Sequence, residues 1–348
     1  MTTINWKAAL RRTTLSVTVV TIAAGAMLST TASAKAVNLT GAGSTFIYPL
    51  MAKWADVYGR QAGTQINYQS IGSGAGIQQL KNNTVDFGAS DAPLTNAELG
   101  TMPGGVIQIP AASGAVAITY NGLPRGLRLS GPVLANIYLG QITRWNDAQI
   151  AALNPGMRLP GRPITVARRS DGSGTSYIFT NYLKSVSPAW ARQVGAGKTV
   201  AWPVGLGGKG SDGVSGIVQQ TPGSIGYVEL NYAIQNRLPY ASIRNRSGQF
   251  VSPTVASVTA AASASAGAIQ RDVRALIVNA PGAGSYPISG FTYLLIYKNQ
   301  ANKAKGQTLK KFLNWAMGPG QSYARPLYYA PLPQSVKRIN AMKLRSVR

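Results

Sequence analysis

The chain has 348 residues, long enough for more than one hydrophobic core and suited to two domains behind an export signal. Cysteine and histidine are both absent, which excludes disulfides, thiolate nucleophiles and thiolate metal sites, and removes the usual zinc ligand and the usual base of Ser and Cys hydrolases. The 34 Lys and Arg against 9 Asp and Glu give a net charge of +25, spread along the chain rather than clustered, so the balance reads as a basic surface and not as a nucleic-acid footprint.

Residues 1–34 read as an export signal. Lys7, Arg11 and Arg12 make a positive start, the run from Leu15 to Ala24 is apolar, and Ala32-Ser-Ala34 is a small-x-small cleavage site. The apolar run is too short and too interrupted for a membrane span. No Cys follows it to carry a lipid anchor, and Arg11-Arg12 resembles a twin-arginine signal less well than an ordinary secretory one. Without the signal the chain keeps 31 basic against 9 acidic residues, a net of +22. So few carboxylates leave few groups to protonate as pH falls, which fits an acidic exterior and predicts a flat stability profile into acid.

Three segments then repeat one design of short apolar strand, small-residue turn and amphipathic helix. Val37 to Thr40 leads through Gly41-Ala-Gly-Ser-Thr into a helix from about Phe46, with Leu50, Trp54 and Val57 on one face and Pro49 in the first turn. Ile66 to Ile71 leads through Gly72-Ser-Gly-Ala-Gly into a helix carrying Ile77 and Leu80. Ile164 to Ala167 leads through Asp171-Gly-Ser-Gly-Thr into a helix carrying Ile178, Tyr182 and Leu183. The Gly205-Leu-Gly-Gly-Lys-Gly run lacks the Ser or Thr of a P-loop and reads as a tight loop. Residues 254–268, rich in Ala and Ser, read as a surface helix. Gly290 to Tyr297 reads as a buried strand and Thr308 to Met317 as a helix. The basic C-terminal helix is expected to pack through Val336, Ile339 and Met342. Strand–helix alternation of this kind implies α/β domains with largely parallel sheets.

In such sheets ligands bind beyond the carboxyl ends of the strands, where all three turns fall. A helix N-terminus offers unpaired N–H groups and the positive end of its dipole; Gly lets an anion approach, and Ser or Thr adds hydroxyl donors. One such turn is ordinary capping; three point to a shared small oxyanion. Arg169 ends the third strand, where a guanidinium can grip a tetrahedral oxyanion or simply pair with Asp171. Asp91, after Val85-Asp-Phe-Gly-Ala-Ser, is a turn residue taken alone. Beside an anion site, however, a carboxylate distinguishes ligands: it accepts a hydrogen bond from a protonated oxyanion such as phosphate, and meets only lone pairs on sulfate. A charge-assisted hydrogen bond contributes about 1.5–3 kcal/mol, and an unpaired buried carboxylate costs at least that. One aspartate could thus discriminate by roughly two to four powers of ten.

Together, Gly41-Ala-Gly-Ser-Thr-Phe, Ile71-Gly-Ser-Gly-Ala-Gly, Val85-Asp-Phe-Gly-Ala-Ser-Asp-Ala-Pro and Arg168-Arg-Ser-Asp-Gly-Ser-Gly-Thr-Ser resemble the periplasmic phosphate-binding proteins of bacterial high-affinity phosphate ABC transporters. So do Tyr138-Leu-Gly-Gln-Ile-Thr-Arg-Trp-Asn-Asp, Trp202-Pro-Val-Gly-Leu-Gly-Gly-Lys-Gly and Gly223-Ser-Ile-Gly-Tyr-Val-Glu, so that nearly the whole chain after the signal is covered. The resemblance implies a type II periplasmic-binding-protein fold of the α/β class. Two lobes, 35–112 with 292–348 and 113–291, would be joined by two crossing strands near Ser113–Tyr120 and Tyr286–Thr292. It implies phosphate held by Thr45, Phe46 (through its backbone N–H), Ser73, Asp91, Arg169, Asp171, Ser173, Gly174 and Thr175. It further implies a monomer in the periplasm with its signal cleaved near Ala34, partnered by inorganic phosphate and an inner-membrane ABC permease. No catalysis, cofactor, metal or nucleic acid is implied. The second turn departs from the family's more usual Gly-Ser-Ser-Gly-Gly, which bears on its second serine and not on Ser73.

Other readings remain at this level. A phosphohydrolase using Ser173 would have only Lys or Asp as base. Sulfate, molybdate or phosphonate would suit the same turns without Asp91 and Asp171. The basic terminus with Lys337, Arg338, Lys343, Arg345 and Arg348 could touch anionic lipid.

Overall fold

The computed structural model describes residues 37–102 and 104–348; the export segment read at 1–34 lies outside the described residues. Eight strands form one sheet: β1 (Leu39–Gly43), β2 (Ile66–Ser70), β3 (Phe87–Ser90), β4 (Val106–Tyr120), β5 (Thr165–Arg169), β6 (Leu206–Gly208), β7 (Ser224–Glu229) and β8 (Ser289–Tyr297), in the order β2-β1-β3-β8-β4-β7-β5-β6. One wing is parallel, β1 pairing with β2 and β3; the other is parallel too, β5 pairing with β6 and β7. Between them run β8 and β4, antiparallel to each other and to the strands they touch in the wings. All 15 residues of β4 are buried, so its backbone must be paired throughout. Val106–Ala115 pairs with β8, and Val116–Tyr120 continues onto β7 in the other wing. The α/β class with two wings spanned by two long strands is the fold the sequence led one to expect.

Each wing is built from strand–turn–helix units. α1 (Tyr48–Ala62) has Pro49 in its first turn, buries Leu50, Trp54 and Val57, and stops at Gly63 in the left-handed region. α2 (Ser73–Lys81) buries Ile77 and Leu80. A short α3 (Asn96–Gly100) starts with a capping box between Thr95 and Glu98. α4 (Gly174–Val186) buries Ile178, Tyr182 and Leu183. The run at 205–210 is not a plain loop. Leu206–Gly208 is the edge strand β6 and Gly210 opens α5 (Gly210–Gln220), a fourth unit of the same design.

Three further expectations are corrected. α6 (Lys303–Met317) begins a turn earlier than its apolar pattern, because Asn302 accepts from the Lys305 amide and caps it. Residues 254–268 are not one surface helix. Val255–Ala264 and Ala266–Arg271 are separate, and Val258, Ala261, Ala262 and Ile269 are buried. In α7 (Gln334–Arg345) the buried line is Val336, Asn340 and Leu344, while Met342 is 62% exposed. Asn340 takes a core position because its Nδ2 donates to the Pro110 carbonyl at 2.7 Å. No helix among the described residues is long and apolar enough to cross a membrane.

Candidate anion-binding site

The N-termini of α1, α2, α4 and α5 follow the carboxyl ends of β1, β2, β5 and β6 and meet between the wings. The Gly74 amide donates to the Gly172 carbonyl at 2.8 Å, the Gly174 amide to Ser73 Oγ at 3.1 Å, and Thr45 Oγ1 lies 3.0 Å from Ser211 Oγ. A Cβ on Gly74 would sit 3.1 Å from the Gly172 Cα, so two backbones touch where side chains would hold them apart.

Arg169, the last residue of β5, is 3% exposed. One edge of its guanidinium is spent on Asp171, with Nε donating to Oδ1 at 2.7 Å and Nη2 to Oδ2 at 2.5 Å. The remaining Nη1 points between Thr45 Oγ1 (3.2 Å) and Thr175 Oγ1 (3.4 Å). Partial burial pushes the Asp171 pKa up. The hydrogen bonds and charge of Arg169, helped by the Gly210 amide, outweigh it and hold the carboxyl below its ordinary range. The Asp171 carboxylate therefore stays ionised and fixes where the guanidinium points.

Asp91, just past β3, is in the opposite condition. It is 3% exposed and has no ion-pair partner among the described residues; burial pushes its pKa up to about 6, against smaller lowering effects from Ser44, Thr292 and the Arg169 charge. Oδ1 is saturated by hydroxyls, accepting from Ser44 Oγ and from Thr292 Oγ1 at 2.6 Å each. Oδ2 faces Gly174, where an added Cβ would come within 2.5 Å of it. Thr292 stands at the register shift between β8 and β4, where Ala112 and Pro110 oppose Thr292 and Tyr293; the bulge aims this hydroxyl at Asp91. Ser73 Oγ accepts from the Gly174 and Asp91 amides, so its O–H is left to donate. Ser173 accepts from the Ser176 amide as the N-cap of α4, and the Phe46 amide donates to Ser44 Oγ at 3.0 Å.

All nine residues singled out in the sequence thus lie in one place. Four others stand with them: Ser44 and Thr292 on Asp91, Gly210 on Asp171, and Ser211 on Thr45. Among the described residues no group of three or more His, Cys, Asp or Glu could hold a metal. The geometry suits a tetrahedral oxyanion: a fixed guanidinium edge, hydroxyl donors, helix N-termini and one carboxylate oxygen able to accept a hydrogen bond from a protonated ligand.

A model for the PBP superfamily domain matches residues 29–319. A phosphate-binding protein PstS of Xylella fastidiosa (strain Temecula1) is 46% identical over 311 residues, 88% of this chain and 85% of that protein. This chain belongs to the PstS family. A PstS of Haemophilus influenzae is 44% identical over 313 residues, covering 89% of this chain and 93% of the other. A solved phosphate-binding protein from Stenotrophomonas maltophilia, 23% identical, superposes with a TM-score of 0.64 over 87% of this chain and 93% of its own, which shows the common fold. PstS proteins are solute-binding components of transporters and not enzymes. That removes the nucleophile reading of Ser173, whose oxygen instead caps a helix.

Proposed function

We propose that the chain captures inorganic phosphate between the wings and delivers it to an inner-membrane ABC permease. The observation that carries this is the contrast between two aspartates at one site. Asp171 is neutralised by Arg169, whereas Asp91 has one oxygen saturated and the other turned to the cleft. Such an oxygen stabilises a ligand that still bears a proton and disfavours one that does not. Thr45, the Phe46 amide, Ser73 and Asp91 would supply one half of the shell and Arg169, Asp171, Ser173, Gly174 and Thr175 the other. The lobes would be 35–112 with 292–348 and 113–291. Neither half suffices alone, so the ligand favours the closed form by differential binding. The protein would act as a periplasmic monomer after cleavage near Ala34.

Calorimetric titration of ligand-stripped protein with phosphate and then sulfate, at one pH, tests the reading. Tight phosphate binding without sulfate heat is expected. Sulfate binding of similar strength would mean that Asp91 does not face the ligand. Scattering should show compaction on adding phosphate.

A further inference from the structure

Away from the cleft, a cavity of about 540 Å³ opens between the start of β4, α3, α7 and the segment 271–274. Five charged side chains line it: Arg271, Asp272, Arg274, Lys298 and Lys343. Two of these cancel. Arg274 Nε donates to both oxygens of Asp272, at 3.0 and 2.9 Å, and Nη1 is taken by Asn96 Oδ1 at 2.7 Å. The other three cations have no carboxylate partner among the described residues. Arg271 and Lys298 are exposed, and their side chains make no hydrogen bond among those residues. Lys343 is half-buried and donates only to the neutral Gln108 carbonyl, at 3.1 Å. Its burial lowers its pKa, with Asp272 opposing, so the ammonium is held at some cost.

Three like charges around one concavity repel each other, and the half-buried Lys343 is partly dehydrated as well; an anion of matching charge relieves both effects. We propose that this cavity binds a short condensed phosphate, a multivalent oxyanion held jointly by Arg271, Lys298 and Lys343. The three cations line one cavity, which fits a small ligand better than a polymer lying on the surface, and the volume falls within the roughly 300–1,000 Å³ of ligand pockets. Condensed phosphate distributes negative charge over successive tetrahedral groups, so one flexible ion can reach three separated cations. Arg271 offers a planar fork for paired phosphoryl oxygens, and the two ammonium groups act as point charges. None of Thr45, Asp91 or Arg169 lines this cavity, so it is separate from the cleft.

Calorimetry on the full chain, already saturated with orthophosphate and in about 0.15 M salt, tests the site with sodium tripolyphosphate as probe. One further binding event per chain is expected. It should weaken at least roughly tenfold in Arg271→Ala/Lys298→Ala, a loss of about 1.4 kcal/mol. Both positions are exposed, and an unchanged orthophosphate titration of the double variant shows that it folds. No second event in the parent chain overturns the proposal. So does equal binding by the double variant, which would place the probe in the cleft or on the general basic surface. Citrate binding as tightly as tripolyphosphate would overturn the assignment to a phosphate chain.

Discussion

Replacing Asp91 with Asn should make the ligand-free protein more stable and a worse receptor at the same time. Burial raises this carboxyl from an ordinary 3.8 to about 6, a shift of about two units at 1.36 kcal/mol each, or about 3 kcal/mol. The folded state holds the proton more tightly than the unfolded chain, so its stability declines as pH rises from about 4 to about 6 and stays lower above that. Asn cannot ionise, and its carbonyl can still accept from Ser44 and Thr292. The variant should therefore match the parent near pH 4 and exceed it by up to about 3 kcal/mol at pH 8. With about 2–4 °C per kcal/mol for large domains, that is roughly 6–12 °C in Tm. Thermal unfolding of ligand-free protein at the two pH values reads this directly. A gain of equal size at both pH values, or none at pH 8, would refute the claim that Asp91 is ionised at a cost. Phosphate affinity should fall roughly 10- to 100-fold, because a charge-assisted hydrogen bond of about 1.5–3 kcal/mol is lost.

Gly174→Ala places a methyl within 2.5 Å of Asp91 Oδ2 and Ser73 Oγ. Overpacking by about 1–3 kcal/mol should weaken phosphate binding roughly 10- to 100-fold in calorimetry. Arg169→Lys keeps the charge but cannot hold Asp171 on one edge while reaching Thr45 and Thr175, so affinity should drop by about two powers of ten. An undiminished titration would show that the fork geometry is irrelevant. Lys198 pairs with Glu98 across the wings at 2.5 Å, with side chains 24% and 30% exposed. Such a pair is worth under about 1 kcal/mol, so Lys198→Ala should lower affinity less than roughly fivefold, with the difference vanishing near 1 M salt.

Much of the site was legible because its groups sit in turns whose chemistry is local. Thr45, Ser73 and Ser173 follow strands with apolar runs and precede helices with clear 3.6-residue spacing. Ser44 and Thr292 were not legible. Ser44 looks like any turn residue, and Thr292 is an ordinary strand residue until the bulge in β4 turns its hydroxyl toward Asp91. The unit at 206–220 was hidden because β6 is only three residues long and two of them are glycine. The spacing of Val214 and Val218 after Gly210 was the available signal. At the C-terminus, helical period alone could not rank Met342 against Asn340, since the preference depends on a carbonyl supplied by Pro110, far away in sequence.

The two hydroxyls that hold Asp91 come from 47 residues before it and 201 residues after it. The central carboxylate is therefore oriented only by pairings between distant parts of the chain, each of which carries a loop-closure cost. A nascent chain that has not yet docked β8 has no Thr292 in place and no oriented Oδ2. An oriented Oδ2 therefore requires the chain to be complete through Thr292.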